Sequence, residues 1–327
     1  ITVVGIGYLI YWLVPGIPLI PAFALAAVLS PTDAVALSGI VGEGRIPKKI
    51  MSIVQGEALM NDASGLVSLK FAVAVAMGTM VFTWGGASVE FLKVAVGGLV
   101  AGVAVCWLYG RSLRLLSRWS GDDPATQTVL LLLLPFASYL IAEHLGVSGI
   151  LAAVAAGMTI TRSGIIRQAP LAMRLRANSV WQMLEFVFNG MVFLMLGLQL
   201  PDILETSVAQ ANADPNVELW MLFTDVALVY VALMIVRFGW LWMMQRASLR
   251  FLKKKPLEFS NYSFRELLIA SFAGVRGAIT LAGVLSIPLF LSNGEPFPAR
   301  YELVFIATGV ILFSLFVGVI LLPILLR

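Results

Sequence analysis

Apolar residues along this chain fall in long runs, interrupted by short polar gaps. Ten runs stand out, at roughly 1–14, 18–42, 50–79, 88–115, 124–144, 147–163, 179–200, 217–245, 264–290 and 301–326. A helix crossing a bilayer needs about 20 residues that are mostly apolar. Most of the runs approach or exceed that length, so the pattern predicts an all-α, polytopic transmembrane helix bundle. The short gaps leave no room for a soluble domain, and residues 1–327 read as a single transmembrane domain. The chain opens at Ile1 inside an apolar stretch, without Met or a signal-peptide pattern, so further residues are expected before it.

The gaps supply an independent check. Arg45, Lys48 and Lys49 occupy the gap at 43–49, and the gap at 80–87 has no Lys or Arg. Arg111, Arg114 and Arg118 follow, then an uncharged turn at 145–146. Arg162, Arg167, Arg174 and Arg176 precede a gap at 201–216 without basic residues. Arg246, Arg250, Lys253, Lys254, Lys255 and Arg265 come next; the gap at 291–300 holds only Arg300, and Arg327 ends the chain. Basic gaps therefore alternate with gaps poor in basic residues. Cytoplasmic loops carry the Lys/Arg excess, so the basic gaps and the C-terminus are expected to be cytoplasmic. Topology explains this basic charge better than nucleic acid does, and contact with anionic lipid is compatible with it.

Composition agrees: 60% of residues are hydrophobic and 12% charged, against about 25% charged in soluble domains. The one cysteine, Cys106, lies in an apolar run and reads as a small buried hydrophobe. A lone histidine, His144, makes no metal site.

A charge at the centre of a membrane helix costs about 2.5–3.5 kcal/mol on insertion scales and marks a functional candidate. Such charges here are Asp33, Glu57, Asp62, Lys70, Lys93, Glu185, Asp225, Arg237 and Arg276. Lys70, Lys93 and Asp225 lie near enough to segment ends to snorkel or to face a polar interior. Pro31, in Ser30-Pro31-Thr32-Asp33-Ala34, predicts a bend or break inside the second segment. Irregular backbone at membrane depth lines a binding site, or else Asp33 merely caps the restarted helix.

The next segment carries Gly56-Glu57-Ala58-Leu59-Met60-Asn61-Asp62. Glu57 and Asn61 share a helix face, and Asp62 is turned about 100° from Asn61. A desolvated carboxylate can hold either a proton or a hard cation, and Asn61, Thr32 and free carbonyls add oxygen ligands. Gly274-Val275-Arg276-Gly277 predicts a second interruption. By the charge alternation, segments 18–42 and 264–290 run in opposite directions, as inverted repeats require. The spacing of Gly98 and Gly102 is compatible with close helix packing.

Together these stretches resemble the monovalent cation:proton antiporters, in particular the NhaP-like bacterial members and the related animal exchangers. The resemblance covers the whole chain. It implies a fold of about thirteen helices with two crossing broken helices, of which about ten are present here. It implies that Asp62 binds the transported ion and the proton. Asn61 matches the neutral partner of electroneutral members, and Thr32 and Asp33 complete the Na⁺ site as broken-helix residues. It implies a structural ion pair between Glu57 and Arg237 rather than Arg276. Pro31, Gly274, Arg276 and Gly277 then belong to the crossing, with Arg276 as counter-charge to the helix dipoles. Ala58 stands where members often have Ser, and Ala34 where many have Pro.

The expected activity is exchange of Na⁺ or Li⁺ for H⁺, with a role in pH homeostasis and no cofactor. The resemblance also implies a homodimer in a bacterial inner membrane. K⁺/H⁺ exchange by the same machinery is the alternative, followed by a channel and an organic-solute transporter. No sequence motif of a membrane enzyme or of a nucleotide-binding loop is present.

Overall fold

The computed structural model describes residues 2–42, 45–78, 84–120, 123–165, 171–213, 219–251 and 262–326. In chain order the helices are α1 (Thr2–Leu13), α2 (Leu19–Leu29), α3 (Ala34–Val41), α4 (Lys48–Ala76), α5 (Trp84–Ser120) and α6 (Pro124–His144). They continue as α7 (Gly149–Arg162), α8 (Leu171–Ala213), α9 (Leu219–Phe251), α10 (Phe264–Phe272), α11 (Ala278–Leu285) and α12 (Arg300–Leu326). Among the described residues there is no strand, only an isolated bridge between Phe290 and Pro296.

Each of the ten apolar runs holds helical structure, but they do not qualify equally as spans. Stretches within α4, α5, α6, α8, α9 and α12 are long and apolar enough to cross a membrane singly, and α2 with α3 makes a seventh span bent by 51°. α1 and α7 are apolar but have 12 and 14 residues. At 1.5 Å per residue α7 is about 21 Å long, short of a hydrocarbon core of about 30 Å. α10 and α11 are two short halves around a break.

The chain forms two compact units. One comprises Ile1–Val81 with Val192–Arg327, the other Phe82–Met191. In the first, α2 is apolar on every face and buried almost throughout, as a helix without a polar side must be. Its alanines, Ala22, Ala24, Ala26 and Ala27, are fully buried and let neighbouring helices approach. Around it gather Ile6 and Ile10 of α1, Val229 and Leu233 of α9, and Leu303 and Ile306 of α12. A second cluster, with Leu37, Ile50, Val54, Val275 and Leu322, packs near α3 and the break between α10 and α11.

In the second unit α5 lies close against α7. A side chain at Gly98 would strike the Ser148 carbonyl, and one at Gly102 the Ala152 backbone. Ser148 caps α7 through a hydrogen bond from the Leu151 N–H. α6 begins at the exposed cap Asp123, outside the apolar stretch. The Thr126 hydroxyl, then the backbone N–H groups of Thr126 and Ala125, donate to its carboxylate and hold it below the usual carboxylate range.

Candidate functional site

The first break spans Ser30 to Asp33. α2 stops at Leu29; Pro31 has no N–H to continue the ladder and disfavours helix before it. Asp33 restarts the chain as the N-cap of α3. Its Oδ1 accepts the N–H groups of Val35 at 3.0 Å and Ala36 at 2.8 Å. Ala34 is the first helical residue, a position that accepts proline but does not need it.

The second break, residues 273–277, lies against the first. The Asp33 N–H donates to the Val275 carbonyl at 2.8 Å. The N–H of Ala278, first residue of α11, donates to Asp33 Oδ2 at 3.3 Å. One carboxylate thus caps two helix N-termini, where the helix dipoles are positive. Gly277 permits the approach, because a β-carbon there would collide with the Asp33 carboxylate.

Arg276 meets the opposite need. It is buried, and its Nη1 donates to the Gly274 carbonyl just beyond the C-terminus of α10, where the dipole is negative. Its backbone N–H donates to the Ser314 hydroxyl of α12 at 3.1 Å. Sequence reasoning missed Ser314: a lone serine in an apolar helix has no distinguishing signal when its partner is 38 residues away.

Asp62 of α4 stands beside the first break. The Thr32 backbone, the Asp33 carboxylate and the Arg276 guanidinium all lie within electrostatic reach of its carboxylate. Asp62 Oδ1 and Thr32 Oγ1 are buried and have no hydrogen-bond partner in the protein. Two carboxylates, a hydroxyl and interrupted backbone therefore converge beside the two breaks. Among the described residues no three His, Cys, Asp or Glu side chains gather as around a structural metal. The groups assembled are oxygen donors, which suit a hard cation or a proton. Ala58 lies one turn before Asp62, is buried, and offers no side-chain oxygen.

Next to this group is a charged brace. Arg237 of α9 makes a two-pronged contact with Glu57, Nη1 to Oε1 at 2.6 Å and Nη2 to Oε2 at 2.7 Å. Its Nε donates to the Ala270 carbonyl in α10 at 3.2 Å. Arg237 thereby ties α4 to the first half of the second broken helix. Gly274 makes room, since a β-carbon there would run into the guanidinium. Asn61 joins the brace by donating its amide to Glu57 Oε1 at 3.2 Å. This contact turns the Asn61 amide toward Glu57. Glu185 and Asp225 lie elsewhere, exposed on α8 and half-buried on α9; Lys70 is two turns beyond Asp62 on α4 and Lys93 is exposed on α5.

Comparisons with known proteins bear on this geometry. Residues 1–327 match the family model described as sodium/hydrogen exchanger, transmembrane. The chain is 81% identical over 327 residues to an uncharacterized Na⁺/H⁺ exchanger, YjcE, of Escherichia coli strain K12, covering 100% of this chain and 60% of that protein. It is 42% identical over 325 residues to a sodium, potassium, lithium and rubidium/H⁺ antiporter of Bacillus pumilus, covering 99% of this chain and 47% of the other. The chain therefore spans between about half and three-fifths of the length of these relatives. Its fold matches that of the sodium proton antiporter MjNhaP1 from Methanocaldococcus jannaschii, with a TM-score of 0.67 at 19% identity over 98% of this chain and 75% of that one.

Proposed function

We propose that this chain, which belongs to the sodium/hydrogen exchanger transmembrane family, carries the ion-binding machinery of a secondary active antiporter exchanging Na⁺ or Li⁺ for H⁺. The family is one of transporters, so the cations and protons are cargo rather than resident cofactors. The observation that carries the reading is the setting of Asp62. It is a membrane-depth carboxylate with an unpartnered oxygen, beside the crossing of two broken helices.

Asp62 holds a proton or a cation, never both. Each displaces the other, and that competition couples the two gradients. Asp33, Thr32 and Asn61 complete the oxygen set around the cation; Asp33 does so while capping α3 and α11. The Glu57–Arg237 pair keeps the α4 backbone fixed against α10. Asn61 adds no second titratable group beside Asp62, which favours a one-for-one, electroneutral exchange. The two broken helices act as inverted repeats within one transporter domain, which works as a homodimer in a bacterial inner membrane with its C-terminus cytoplasmic.

The test is proton flux in proteoliposomes of the full-length protein under an imposed Na⁺ gradient. Asp62→Asn abolishes exchange while leaving inserted, folded protein; retained sodium-dependent flux in that variant overturns the proposal. A second reading extends the cation range to K⁺. It is favoured by the 42% identical relative, whose name includes potassium and rubidium, and by Ala58, which leaves one side-chain oxygen fewer. Flux measured separately with Na⁺, Li⁺ and K⁺ decides between them.

A further inference from the structure

The second unit holds a cleft of about 640 Å³ that the ion-binding residues do not touch. Three helices line it. α6 contributes Leu131, Leu134 and Pro135; α7 contributes Gly157, Ile160 and Thr161. The first turns of α8 supply Leu171, Leu175 and Trp181, with Arg174 and Asn178 as the polar edge. α7 contributes its second half and α8 its first turns, while the α6 residues lie near the middle of that helix. α7 finishes and α8 starts at gaps rich in arginine, so the cleft runs from the middle of the proposed span toward its cytoplasmic face. Arg162 closes α7 and Arg176 follows Arg174 on α8; all three are exposed.

The cleft is therefore apolar inside, with Arg174 as the charged residue of its lining; Arg176 lies within electrostatic reach of Asp123. An acyl chain suits the Leu, Ile, Pro and Trp walls, and Asn178 offers an amide near Arg174. A phosphate suits arginine, whose planar fork binds such oxygens in pairs. The cytoplasmic leaflet supplies molecules with both parts at this depth, and basic pockets between membrane helices bind anionic headgroups. We infer that the α6–α7–α8 cleft is a binding site for an anionic phospholipid of the cytoplasmic leaflet, its headgroup on Arg174 and one acyl chain in the cleft. This site is separate from the exchange chemistry and stands or falls independently of it.

The experiment uses the full-length protein in detergent, with phosphatidylglycerol or phosphatidylcholine added back and retained lipid counted by native mass spectrometry. Wild-type protein retains phosphatidylglycerol in preference to phosphatidylcholine. Arg174→Gln lowers that preference about fivefold, the share of one arginine near an anionic headgroup. Gly157→Leu fills the cleft; a β-carbon at Gly157 has nothing within 4 Å, so the helix tolerates it. This variant loses retention of both lipids while keeping its thermal transition. Equal retention of the two lipids by wild-type protein overturns the inference. So does retention unchanged in both variants. A change of oligomeric state in Gly157→Leu without loss of lipid would instead make the cleft a protein contact, which also overturns it.

Discussion

The Asp33 carboxylate accepts the N–H of Ala278, 245 residues further along the chain, while its other oxygen caps its own helix. A single acidic group thus neutralises the positive ends of α3 and α11 where they meet. Arg276 does the converse for the carbonyl end of α10. The crossing holds one charge of each sign, each facing the dipole end it favours.

The double cap makes a graded prediction. Asp33→Asn keeps a side-chain acceptor for α3, since asparagine is nearly as good an N-cap as aspartate. Asp33→Ala removes both caps. Thermal unfolding of the purified protein should show Ala below Asn by about 1 kcal/mol or more. Equal stability of the two variants would show that the caps contribute little.

Gly277→Ala tests the same contact from the other side. Its β-carbon meets the Asp33 carboxylate, so the two breaks must separate. Under the proposed function, exchange falls at least tenfold while membrane insertion persists. Wild-type flux in this variant would show that the contact does not position the site.

The Glu57–Arg237 pair is largely withdrawn from solvent, at 27% and 7% side-chain exposure. Breaking it in Arg237→Ala leaves Glu57 charged without its partner, at a cost of about 3–5 kcal/mol. Replacing both residues by Leu and Met of similar volume should recover most of that loss. Measured thermal stability of the single and double variants reads the difference.

Charge at position 61 sets the stoichiometry in the proposed exchange. Asn61→Asp places a second carboxylate beside Asp62. The variant's flux becomes dependent on an imposed membrane voltage, whereas the wild type's is not. Voltage-dependent flux in the wild-type protein would contradict one-for-one exchange.

Asp123 provides a pH test outside the membrane. Its carboxylate is held below the ordinary range first by the Thr126 hydroxyl. A depressed carboxylate contributes stability that is fully present above its unfolded value of about 3.9 and is lost as pH falls through the folded value. Hydrogen exchange in the first turn of α6 should therefore accelerate as pH drops below about 4, after correction for the intrinsic rate. In Asp123→Asn that acceleration disappears.

Much of this arrangement is legible along the chain. Run length set the membrane helices, because every crossing segment must satisfy its backbone internally and present apolar side chains outward. Pro31 announced the first break, since a missing N–H acts on its immediate neighbours. Gly274 and Gly277 marked the second, but only as interruptions. The apolar runs at 1–14 and 147–163 hold helices of 12 and 14 residues.

What the linear pattern determined by itself is local: where helices form, where they break, and which charges lie at membrane depth. The resemblance of its motifs then suggested Arg237 as the partner of Glu57. Only the tertiary structure decided which groups meet: Asp33 with Ala278, Arg237 with both Glu57 and the Ala270 carbonyl, Arg276 with the Gly274 carbonyl and Ser314. Helix formation and proline breaks depend on neighbours a few residues apart. These pairings join residues up to 245 positions apart, and only packing brings such residues within hydrogen-bond reach.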